Sequence, residues 1–186
     1  MVKLPTVFMR LAYLVTVSYN EGMADVIIVG AGIAGLLCAH GCAQAGMSVS
    51  VVHKGPIQHS SSSYAQGGIA GAWQDEDSVE AHIADTLMAG AGLCDADIVT
   101  EYCKQAPETV AKLIDLGVPF DTNKDGSFRL AREGAHSHAR IFHVKDYTGM
   151  VIINTLMQQL EQCKNVQFIE GVVDGLIQAE SSTQVC

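Results

Sequence analysis

One stretch constrains this chain more than any other: Asp25-Val26-Ile27-Ile28-Val29, followed directly by Gly30-Ala31-Gly32-Ile33-Ala34-Gly35. A short run of Val and Ile ended by glycine reads as a buried parallel strand. Gly30 permits a tight turn out of that strand. Gly32 has no side chain, so a diphosphate can approach the backbone, and Gly35 lets the following helix pack closely on the strand. The spacing predicts a helix from Ile33 to about Ala45, stopped by Gly46, and a second β-branched strand over Ser48–Val52. A right-handed crossover then places both strands in one parallel sheet. The free N–H groups at the helix start face any bound phosphate, and the helix dipole adds ~0.3–1 kcal/mol, up to about 2 when partly buried. The alternative is a glycine-rich turn with no ligand. A strand before the glycines and a helix after them are the context that favours a dinucleotide.

A nicotinamide-binding unit usually carries an acid at the end of the second strand to hold a ribose hydroxyl. His53 and then Lys54 stand there instead. His53 either hydrogen-bonds a ribose or is a strand-end histidine, and the sequence leaves both open.

Two further clusters carry chemistry. Ser61-Ser62-Ser63-Tyr64-Ala65-Gln66-Gly67-Gly68 lies in a long Ser- and Gly-rich stretch, residues 55–72, almost without charge. Small residues let backbone lie against a flat ring, while hydroxyls and amides supply hydrogen bonds, and a long loop inside a compact domain is usually functional. Arg132-Glu133-Gly134-Ala135-His136-Ser137-His138-Ala139-Arg140 concentrates two cations, an acid and two histidines between helices, which points to a polar site. His136 and His138 could ligate a metal, but no third ligand at suitable spacing is evident, so no metal is expected.

Elsewhere the pattern predicts helices over Asp77–Met88, from a cap at Asp95 through Lys104, from Pro107 to Leu116, and over Tyr147–Gln162. A turn is expected at Asp121–Gly126. Strands are expected at Val166–Glu170 and Val172–Ile177, paired through Gly171. With 48% hydrophobic and 17% charged residues, the 186-residue chain is globular in composition. A net charge of -9 without a Lys/Arg cluster argues against a nucleic-acid partner. None of the six cysteines forms a CxxC pair; Cys38 and Cys42, one helical turn apart, read as small buried side chains.

These motifs, in this order and spacing, resemble the flavoprotein family of succinate dehydrogenase, fumarate reductase and L-aspartate oxidase, over about residues 24–178. Ala89-Gly90-Ala91-Gly92-Leu93-Cys94-Asp95, Leu116-Gly117-Val118-Pro119-Phe120-Asp121 and the Arg-Glu-Gly-x-His-Ser-His run are similar to its L-aspartate oxidase branch. The resemblance implies an α/β fold: a Rossmann-like FAD-binding domain with a parallel βαβ core, incomplete here because the capping and C-terminal helical domains lie beyond the chain. It implies FAD contacts at Gly30, Ala31, Gly32, Ile33, Ala34, Gly35, Lys54 and Ser61, Ser62, Ser63, Tyr64, Ala65, Gln66, Gly67 and Gly68. Ser61 occupies the place of the histidine that binds FAD covalently in succinate dehydrogenases and fumarate reductases, so noncovalent FAD is implied. Glu133 matches the glutamate that orients the substrate amino group; the main catalytic arginine and histidines fall outside this sequence.

The implied reaction is oxidation of L-aspartate to iminoaspartate in NAD biosynthesis, with oxygen or fumarate as electron acceptor and quinolinate synthase as a partner. The alternatives are a fumarate reductase or succinate dehydrogenase flavoprotein subunit, or a short FAD-binding module without turnover. Reduced thiols fit a cytoplasmic protein. Residues 1–22 are expected to be an extension upstream of a natural start at Met23, and the apolar run Leu11–Val17 within them is too short to span a bilayer. Residues 23–178 are the expected FAD-binding part and 179–186 a polar tail.

Overall fold

A computed structural model describes residues 24–175. The expectations for residues 1–22 and for the tail at 179–186 lie outside the described residues. Strand β1 (Val26–Val29) leads into helix α1 (Ile33–Gln44), which returns the chain to β2 (Val49–His53). The strands run parallel with Val26 opposite Val49 and Val29 opposite Val52, as the glycine pattern predicts. Gly46, at φ +82°, takes the left-handed conformation that ends the helix.

A third parallel strand, β5 (Val166–Glu170), pairs along the other edge of β2 from Val49↔Val166 to His53↔Glu170, giving the order β1-β2-β5. This corrects the expected pairing of 166–170 with 172–177. The central strand offers a full row of amides and carbonyls, and Gly171 N–H still donates to the His53 carbonyl at 2.8 Å. The chain then leaves the sheet, and residues 172–175 are not a strand; residues 176 and 177 lie outside the described residues.

Helix α1 is apolar almost all round because it lies between the sheet and helix α4 (Thr148–Glu161). Leu36, Cys38, Ala39 and Cys42 from α1 meet Ile152, Ile153, Leu156 and Leu160 from α4 in the core. Burial, with Cys42 alongside, pushes the Cys38 thiol up to about 11, so it behaves as a packing residue. The side-chain amide of Asn165 donates to the carbonyls of Ala43 (2.9 Å) and Met47 (2.7 Å), fastening the start of β5 to the end of α1.

Helices α2 (Val79–Ala89) and α3 (Ala96–Asp115) pack on each other. The expected break at Pro107 does not occur; α3 is one helix through it. An interior proline costs about 3 kcal/mol. The stripe Cys103, Val110 and Leu113 is buried across the proline, and burying one Val or Leu side chain is worth ~1.5–3 kcal/mol, so the packed face outweighs the lost hydrogen bond. Asp95 caps the start by accepting the N–H groups of Asp97 (3.0 Å) and Ile98 (3.1 Å).

The expected loop at 55–72 contains a turn of 3₁₀ helix (Ile57–His59) and strand β3 (Ile69–Ala70). β3 pairs antiparallel with β4 (Ile141–Phe142). Neither two-residue strand is foreseen from the sequence, since nothing so short carries a period. Their ribbon is held by an aromatic cluster in which Phe142 meets Trp73, Phe120 and Phe128 edge-on, with ring centroids 5.2–5.4 Å apart.

Candidate cofactor site

The start of α1 is built by its glycines. Gly30 has φ +106°, a conformation closed to most side chains. A Cβ on Gly35 would strike the Gly30 carbonyl oxygen, so helix and strand approach as closely as the sequence spacing implies. Gly32 is the N-cap and offers no side chain to the helix amides. The first backbone bond of the helix runs from Leu36 N–H to the Gly32 carbonyl at 2.9 Å. The amides ahead of it point out of the helix start with the positive end of the dipole.

The serine-rich segment lies against that start. Ser62 Oγ accepts the Ile33 N–H at 3.3 Å, and a Cβ on Gly32 would stand 3.1 Å from the same oxygen. The segment also covers the start of α4. Gly149 N–H donates to the Ala65 carbonyl at 2.9 Å and Thr148 Oγ1 to the Gln66 carbonyl at 3.4 Å. A Cβ on Gly149 would strike the Ser62 carbonyl oxygen, so the close approach requires glycine. Two helix N-termini thus converge on one loop. At its far end Gly68, at φ +106°, passes so near Phe142 that a Cβ would strike its carbonyl oxygen.

Within the segment the residues divide. Ser63 is buried, its hydroxyl shared with Ser60 Oγ (2.9 Å) and the Ile57 carbonyl (3.2 Å), so it holds the loop's own shape. Ser61, Ala65, Gln66, Gly67 and Tyr64 are exposed, and Tyr64 stacks on His59. Lys54 is exposed beyond the end of β2. His53 Nδ1 lies 2.8 Å from the Gly55 carbonyl. Donation to that carbonyl from a neutral ring leaves Nε2 an acceptor.

The cluster at 132–140 is centred on a buried ion network. Arg140, fully buried, donates to Asp77 from Nε (2.9 Å) and Nη2 (2.7 Å), and to Asp85 from Nη1 (2.8 Å). Ser137 gives Asp85 both its N–H and its hydroxyl at 2.7 Å. The Ser137 N–H is the largest influence on the Asp85 carboxyl; with its hydroxyl and Arg140 it outweighs burial and holds that carboxyl at about 2. Burial works against the Arg140 charge, but the bonds to Asp77 and Asp85 overcome it and hold the guanidinium charged. Glu133 is exposed, and its backbone carbonyl accepts the His136 N–H at 3.0 Å. His138 Nδ1 lies 2.9 Å from Ser137 Oγ, whereas His136 and His82 meet edge-on with buried Nδ1 atoms lacking a partner. Among the described residues no group of three or more His, Cys, Asp and Glu could hold a metal. The two acids of the network fall within the predicted helix Asp77–Met88 and are not among the site residues expected from the sequence. The available signal was Asp85 at helical spacing from His82 inside α2, an acid where a surface-facing residue is the default.

The sequence profile of the family described as FAD binding domain matches residues 25–185. The chain belongs to that family. It is 43% identical over 156 residues to L-aspartate oxidase of Vibrio cholerae, covering 81% of this chain and 29% of that protein. It is 38% identical to the chloroplastic L-aspartate oxidase of Arabidopsis thaliana, covering 92% of this chain and 27% of that one. Against the FrdA chain of an E. coli quinol fumarate reductase variant the TM-score is 0.71 at 32% identity, over 77% of this chain and 25% of the other. The chain therefore spans under a third of the length of these relatives. An α/β FAD-binding fold with a parallel βαβ core is what structure and relatives share. No helix among the described residues is long and apolar enough to cross a membrane.

Proposed function

We propose that this chain is the FAD-binding part of a longer L-aspartate oxidase acting in NAD biosynthesis. The observation that carries the reading is the meeting of the α1 start, where the N-cap Gly32 offers no side chain, with a serine-rich loop that also closes the α4 start. The cradle fits an FAD diphosphate, because Gly32 leaves the helix-start backbone bare while Gly30 makes the turn and Gly35 lets the helix close on the strand. In this reading Gly30, Ala31, Gly32, Ile33, Ala34 and Gly35 hold the diphosphate and Lys54 stands at the ribose side. Ser61, Ser62, Tyr64, Ala65, Gln66, Gly67 and Gly68 line the flavin ring, with Ser63 setting the loop's shape from beneath. What bound FAD supplies is a two-electron acceptor at N5 for the hydride leaving Cα of L-aspartate, with iminoaspartate as product and oxygen or fumarate as final acceptor. Glu133, exposed and charged, accepts hydrogen bonds from the substrate ammonium group and so favours aspartate over succinate. The Ser61 hydroxyl cannot form the histidyl link of the reductases, so FAD is held noncovalently.

The test is a flavin spectrum of the full-length enzyme carrying this domain. L-Aspartate should bleach the absorbance under anaerobic conditions, and acid precipitation should leave the yellow colour in the supernatant. Colour retained in the pellet, with bleaching by succinate and not by aspartate, would overturn the reading in favour of a succinate dehydrogenase or fumarate reductase subunit.

A further inference from the structure

We infer that Asp85 is a positioning residue for substrate recognition, acting by anchoring the loop that presents Glu133; the inference rests on the role proposed for Glu133. The loop leaves the protein body at Ala131 and returns at Arg140 and Ile141, where Arg140 N–H and Ile141 N–H both donate to the Ala131 carbonyl, at 3.1 and 3.0 Å. Between these points Arg132, Glu133, Gly134 and Ala135 are exposed and belong to no helix or strand. Bonds inside the loop, Arg132 Nε to the His136 carbonyl (2.7 Å) and His136 N–H to the Glu133 carbonyl (3.0 Å), fix its shape but not its place. Its place is set from α2. A single oxygen of Asp85 receives the Ser137 N–H, the Ser137 hydroxyl and Arg140 Nη1, all within 2.8 Å. His82, on the same face of α2, adds the ring contact to His136. Asp77 fixes the other side of the Arg140 guanidinium with two bonds. Removing the Asp85 charge therefore weakens the hold on the loop on the side of Glu133 while Arg140 keeps Asp77.

The loop's hold on α2 should appear in substrate recognition before it appears in flavin chemistry, because Asp85 reaches the loop and not the α1 start. In the full-length enzyme, Asp85→Asn and Ser137→Ala are compared with wild type by FAD content, steady-state kinetics and backbone hydrogen exchange over residues 133–139. Both should retain FAD. Asp85→Asn should raise KM for L-aspartate about tenfold or more, Ser137→Ala severalfold, each with a smaller change in kcat and reduced preference for aspartate over succinate. Exchange at Ser137 and its neighbours should accelerate. Ser137 is exposed, so its alanine variant decides the matter if Asp85→Asn fails to fold. Unchanged KM and unchanged exchange in Ser137→Ala would overturn the inference, as would an equal fall in FAD content. If the wild-type enzyme does not oxidise aspartate, the functional reading fails, while the exchange measurement still decides whether Asp85 anchors the loop.

Discussion

Gly35 and Gly41 lie on the same helix, and adding one methyl group to each should have opposite effects. A Cβ at Gly35 would strike the Gly30 carbonyl oxygen, with the carbonyl carbon at 3.1 Å and Ile28 Cγ2 at 3.4 Å. The struck atom is backbone of the turn, so it cannot rotate away, and relief requires α1 to move off β1. Overpacking of this kind costs ~1–3 kcal/mol. The displaced atoms include the amides proposed to meet the diphosphate, and each 1.4 kcal/mol lost from binding is about tenfold in affinity. Gly35→Ala in the full-length enzyme should therefore lose roughly 1–3 kcal/mol in denaturant unfolding and about ten- to a hundredfold in FAD affinity. Gly41→Ala meets nothing within 4 Å and sits mid-helix. It should stabilise by ~0.5–1 kcal/mol and leave FAD affinity unchanged. Urea titration and flavin-fluorescence titration read both quantities. A Gly35→Ala protein as stable and as well loaded as wild type would refute the reasoning.

Gly149→Ala should weaken FAD binding about tenfold without altering helix content, because its Cβ would push the Ser62 and Ala65 carbonyls and with them the whole serine-rich segment; flavin titration with circular dichroism checks this, and full affinity would sink it. Burial lowers the titration of both His40 and His82 below the ordinary 6.5, and Arg140 and His136 lower His82 further. The unfolded chain therefore takes up protons near pH 6.5 that the folded chain accepts only at lower pH, so stability present above that value is lost as pH falls. Asp85, held at about 2, stays ionised throughout that window. Urea midpoints should drop between pH 7.5 and 5.5, and drop less in His82→Leu; a flat profile would contradict the assignment.

The sequence alone determined the βαβ unit and its turn. Those follow from short-range patterning and sterics: the β-branched run Val26–Val29 ended by glycine favours a strand, Gly30 tolerates its φ of +106°, and Gly35 fits against the Gly30 carbonyl. The α4 helix and the cap at Asp95 were legible for the same reason, since periodicity and capping act within a few residues. Tertiary structure decided what depends on residues far apart in the chain. The Pro107 break gave way to a buried stripe that places Val110 and Leu113 in the core, and β5 went to the open edge of β2 rather than to its neighbour in sequence. Arg140, which the sequence offered as part of a polar site, became a buried cation because Asp77 and Asp85, 63 and 55 positions away, come to meet it. A charge can leave water only when such partners surround it, and no local pattern encodes which residues the fold will bring.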